Sequence, residues 1–178
     1  MPWLLFVALG IVAACAYGIV HDQFTARICV EYFTLGHAPL FATESPTILG
    51  IGWGVVASWW AGAILGLGLA AASRVGRAPK IEVTEVVRPV IGLLIVMATS
   101  AILSGITGYW LAKTGQIHLA GRIAVDVPPE KHAYFLADMW AHGASYLVGF
   151  MGGWLLIVWV WYKRFGLKPA DLGIKPKS

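Results

Sequence analysis

Charge is what this chain has least of. Asp, Glu, Lys and Arg make up 12% of its 178 residues, about half the usual share of a soluble domain. None of them falls inside the four apolar runs Pro2–Val20, Pro46–Ala72, Pro89–Leu111 and Met139–Trp161. That absence argues against a soluble domain. It also argues against an ion path through one copy of the chain, since such paths are marked by ionisable groups at depth. No basic segment interleaved with aromatics lies outside the runs, so no nucleic-acid partner is expected. Cysteine is equally scarce. Cys15 lies within the first run and Cys29 beyond it, with no Cys-x-x-Cys pair. That excludes a thiolate metal cluster and a disulfide scaffold. The difference in depth separates the two by more than the ~7 Å between Cα atoms that a disulfide tolerates. Val12-Ala13-Ala14-Cys15 resembles a lipobox, but Met1–Leu5 has no Lys or Arg, so a cleaved signal peptide is not expected. There is no His-Glu-x-x-His motif and no internal repeat.

What is present is apolar: 58% of the residues are hydrophobic. Each of the four runs approaches or exceeds the ~20 residues needed to cross a hydrocarbon core. The expected fold is therefore an all-α integral membrane protein, a four-helix transmembrane bundle forming a single domain over 1–178. The connections carry an orientation signal. Those following the second and fourth runs hold nine Lys/Arg (Arg74, Arg77, Lys80, Arg88, Lys163, Arg164, Lys168, Lys175, Lys177) and three acids, whereas the other two hold four Lys/Arg and six acids. This bias places both termini inside, with 163–178 as a basic cytoplasmic tail. The expected location is a cell membrane, multi-pass, and specifically a bacterial inner membrane.

Local signals refine the picture. Ser45-Pro46 reads as a cap followed by a first-turn proline, Pro89 as the start of the third span, and Asp126-Val127-Pro128-Pro129 as the start of the fourth helix. Thr25–Thr34 alternates apolar and charged residues in the manner of a short interfacial helix. Gly50-x-x-x-Gly54, Gly62-x-x-x-Gly66 and Gly149-x-x-x-Gly153 are small-residue pairs that let helices approach closely. They predict tight packing and a homo- or hetero-oligomer formed through Gly-rich helices, with the lipid bilayer as the other partner.

All five histidines sit on the outer side of this topology. Asp138-x-x-x-His142 places a carboxylate and an imidazole on one helical face. His21-Asp22 closes the first run at similar depth, and helices 1 and 4 are neighbours in an up-down bundle. Glu31 and His37 follow on a segment able to fold over them. The candidate metal ligands are therefore His21, Asp22, Glu31, His37, Asp138 and His142. Imidazole with carboxylate suits a transition metal. A haem between His21 and His142 is the weaker cofactor, because no histidine lies at mid-membrane. His132 precedes His142 by ten residues, about 15 Å on a continuous helix, and cannot share an ion with it. Ser104-Gly105 with His142 faintly resembles the Ser/His dyad of rhomboid proteases, although those have six helices and a Gly-x-Ser-Gly motif where this chain has four spans and Ile-Leu-Ser-Gly.

No motif specifies a reaction, and catalytic residues are unassigned. The composition favours an accessory or structural subunit of a membrane assembly. The alternatives are a metal-dependent or redox protein with an outer-face His/Asp/Glu site, and a pH-responsive or transport-related protein.

Overall fold

The structure is a computed structural model describing residues 2–166. It is all-helical, with no strand among the described residues. The helices are α1 (Pro2–Ile28), α2 (Val30–Thr34), α3 (Pro46–Val56), α4 (Trp59–Arg74), α5 (Val83–Lys113), α6 (Gly121–Asp126) and α7 (His132–Gly166), with a 3-10 turn at Pro129–Lys131 before α7. Four units are long and apolar enough to cross a membrane: α1, α3 with α4, α5, and α7 with its preceding turn. The basic tail expected over 163–178 lies outside the described residues from residue 167 onward.

Each span departs from its expected limits for a local reason. α1 runs on to Ile28, taking in Thr25–Ile28, because Asp22, Thr25 and Ala26 are buried against neighbouring elements. The break comes at Cys29, whose extended backbone (φ −148°, ψ 96°) starts α2, so the interfacial helix shrinks to five residues. The second span starts at Pro46 as expected, although the Ser45 side chain makes no capping bond. It tightens at Ala57–Ser58, where Ser58 N–H bonds to the Val55 carbonyl instead of the carbonyl four residues back. α5 begins six residues before Pro89. Glu82 and Glu85 form a reciprocal capping box, and acid in the first turn suits the helix dipole. Asp126 ends α6 and pairs with Arg122 at 3.1 Å, so the start of α7 falls instead to the Pro128-Pro129 turn.

α1 packs along both α3 and α4, and α5 packs along α7. The two halves meet mainly through α4 on α7, with sparser contact of α1 with α5 and α7. Glycine sets the first interface. A methyl group added at Gly50 would meet Asp22 and Gln23, at Gly54 Gly18 and Ile19, at Gly62 Gly10, and at Gly66 Phe6 and Val7. The paired numbers rise along α3 and α4 as they fall along α1, so the antiparallel register survives the bend at Ala57–Ser58. The glycines of the fourth span are less constrained: Gly149 faces the Met97 side chain and Gly153 faces Leu65. The small-residue faces expected to serve assembly are thus occupied within the chain.

The other end of the bundle is closed by Phe6, Leu69, Ile81, Val86, Val90 and Val160. Arg164 is buried there. It donates to the carbonyls of Ala72, Ala78 and Pro79 at 2.6, 3.1 and 2.7 Å. A residue expected only as an orientation signal thereby caps the end of α4 from α7.

Candidate metal centre

His21 and Asp22 sit on the last turns of α1, and His142 sits three turns into α7. One ligand atom from each lies within 4.8 Å of the others, and this is the one such group of three or more His, Cys, Asp or Glu donors among the described residues. The His21 and His142 rings meet edge to face with centroids 4.5 Å apart. Below them Tyr17 stacks on His21, and its hydroxyl hydrogen-bonds to Ser145 at 2.7 Å. Above them α2 lays Tyr32 over His142, with centroids 4.6 Å apart. Asp22, Asp138 and His142 are all buried.

The proton positions follow from the partners. His142 Nδ1 lies 2.8 Å from the Asp138 backbone carbonyl. A carbonyl only accepts, so Nδ1 carries the hydrogen. His142 Nε2 then faces Asp22 Oδ1 at 3.2 Å. With a neutral ring and an ionised carboxylate, two acceptors oppose each other, and the contact requires a proton or a cation between them. His21 Nε2 and both Asp138 carboxyl oxygens are buried with no partner. No Lys or Arg among the described ion pairs joins Asp22 or Asp138. Leaving a buried polar atom unpaired costs about 1–3 kcal/mol, and more for a charged one. The cluster is therefore rich in lone pairs and poor in positive charge.

Two imidazole nitrogens and one carboxylate oxygen form a donor set used by catalytic zinc and by non-haem iron, with a further coordination position left open. A tetrahedral ion with ligands about 2 Å away holds its donors ~3.3 Å apart, so separations that reach 4.8 Å would have to close by up to about 1.5 Å.

The remaining sequence candidates take other roles. Asp138 does not use its carboxylate to orient His142, because its backbone carbonyl does so. Asp138 borders a cavity together with His21, its carboxyl oxygens buried in the wall. Glu31 accepts from the Cys29 thiol at 3.3 Å and faces Lys131 at 3.9 Å, away from the three-residue group. His37 donates its Nδ1–H to the Tyr32 backbone carbonyl at 2.8 Å. Its ring packs on Phe33 and Trp53, making it part of the cover. His132 bonds to the Val127 carbonyl at the start of α7. Ser104 donates to the Trp140 carbonyl at 3.0 Å, so the Ser104–His142 dyad does not form. Tyr32 and Tyr17 were not singled out in the sequence, where aromatic residues are too common in apolar helices to stand out.

Outside the spans, burial pushes the Cys29 thiol up to about 12, with a further rise from its hydrogen bond to Glu31. Burial also raises the Tyr32 hydroxyl. Both stay neutral and cover the cluster without adding charge. Comparison with protein-family models, curated proteins and solved structures finds no match.

Proposed function

We propose that this chain is a multi-pass membrane protein, with both termini on the cytoplasmic side, that holds a divalent transition-metal ion at His21, Asp22 and His142 near the opposite face. The observation that carries the reading is the opposed pair of acceptors, His142 Nε2 and Asp22 Oδ1, with a His21 ring nitrogen within 4.8 Å of the other donor atoms. A divalent ion satisfies all three at once. The occupation of the span-2 glycines by α1 counts against the accessory-subunit reading, which relied on those faces for assembly. The bare, exposed aromatics of the spans, Trp59 and Trp60 among them, agree with a lipid surround.

Elemental analysis of the detergent-purified protein tests this reading. About one equivalent of metal per chain is expected, with loss of most of it in His142→Ala and of all of it in the His21→Ala/His142→Ala double variant. Glu31→Gln and His37→Ala should retain it. An absence of metal after purification from metal-supplemented cells would overturn the reading and leave a proton shared between Asp22 and His142.

A further inference from the structure

Between α1, α5 and α7, where the two halves of the molecule touch least, lies a cavity of about 540 Å³. Small-molecule sites commonly enclose about 300–1,000 Å³. Its mouth is framed by apolar side chains on the outside of the bundle: Phe24 of α1 and Trp110 of α5 are 68% and 62% exposed, and Ile102 and Ile106 lie between them. Its inner wall includes His21 and Asp138, two of the four residues whose buried side-chain polar atoms lack partners. Tyr17 and Tyr134 also line it. The cavity is thus apolar at the rim and almost throughout, and the buried polar atoms of His21 and Asp138 lie in the inner wall beside the candidate metal centre.

An ordinary acyl chain of a membrane lipid would fill the volume but leave the Asp138 carboxyl and His21 unpaired in a dry site. A molecule whose apolar body ends in an oxygen function satisfies both parts. We infer that the cavity admits, sideways from the bilayer, a membrane-dissolved molecule with a hydroxyl or carbonyl head, and that this head is held between Asp138 and the metal centre. The inference rests on the membrane reading and on the metal assignment. It adds the substrate class that the centre would serve. Water-soluble substrates are disfavoured on this route, because Tyr32 and α2 cover the cluster from the outer side.

The test uses the full chain in phosphatidylcholine nanodiscs, with a diazirine-bearing hexadecanol as probe and a diazirine-bearing hexadecane as headless control. Saturable photolabelling of α5 and α7 by the alcohol is expected, competed by unlabelled hexadecanol and not by hexadecane. Labelling should fall at least tenfold in Asp138→Asn, and equally in Ala98→Trp, which fills the cavity from α5. Metal content, measured on the same samples, should be unchanged in Ala98→Trp. Equal labelling by the headless probe, or labelling indifferent to Ala98→Trp, overturns the inference whether or not metal is bound. Saturable, head-dependent labelling of a metal-free protein keeps the cavity assignment and removes the metal from it. Circular dichroism of each variant identifies those that fail to fold, and Ala98→Leu replaces Ala98→Trp in that event.

Discussion

At the scale of single residues, the decisive groups are those held away from their ordinary chemistry. Cys29 has no exposed surface, and its thiol sits at about 12 because burial and the Glu31 hydrogen bond both favour the neutral form. Iodoacetamide at pH 8.5 should therefore leave Cys29 unmodified in the folded protein and alkylate it after denaturation, as read by mass spectrometry. The same shift has a sign for stability. Between about pH 9 and 12 the unfolded chain ionises this thiol and the folded chain does not, so stability falls as pH rises. Cys29→Ala should remove that part of the fall in alkaline melting curves. Arg164 makes the complementary point about cations. Three carbonyls depend on its guanidinium, and hydrogen bonds to a charged group contribute about 1.5–3 kcal/mol. Arg164→Gln should thus lower stability by about 3 kcal/mol and Arg164→Lys by nearly as much, since one ammonium cannot reach all three acceptors. His21, Asp22 and His142 were legible in the sequence because ionisable residues in apolar segments are rare. The separate roles of Glu31, His37 and Asp138 were not, because they depend on which backbone carbonyl each ring finds and on where a five-residue helix lands.

Among the elements, apolar run length located all four helical units long enough to cross a membrane, yet their ends obeyed other rules. Glu82-x-x-Glu85 starts α5 without the Ser or Thr that marks a capping box in sequence, and Pro89 therefore looked like a boundary while lying inside the helix. α6 has no apolar periodicity to announce it and no buried residue. The glycine pairs were plain to see, but a sequence alone does not say whether such a face meets its own chain or another copy. Their partners on α1, Gly10 and Gly18, stand eight apart and escape the four-residue pattern. This interface gives a sharp contrast. A methyl at Gly62 strikes the Gly10 carbonyl, whereas one at Gly92 meets nothing. Gly62→Ala should therefore destabilise by about 1–3 kcal/mol, the usual cost of overpacking. Gly92→Ala should leave the thermal midpoint unchanged or raise it, because glycine is the poorer helix former.

For the molecule as a whole, Lys and Arg alone set the proposed orientation. Alkaline phosphatase fused after Thr114 should be active in a bacterial host and inactive when fused after Ala78; the reverse pattern would invert the topology. The packing also divides the chain into two hairpins, α1 with α3 and α4, and α5 with α7. His21 and Asp22 belong to the first hairpin and His142 to the second. The cavity opens along the same seam, between α1 and α5. An ion bound across the seam would act as a clasp, and a guest in the cavity as a spacer. Because both act on one distance, whatever factor the guest contributes to the affinity for the ion, the ion must return to the affinity for the guest. A protein built this way would read the lipid phase and the metal supply together, through the gap between its two halves.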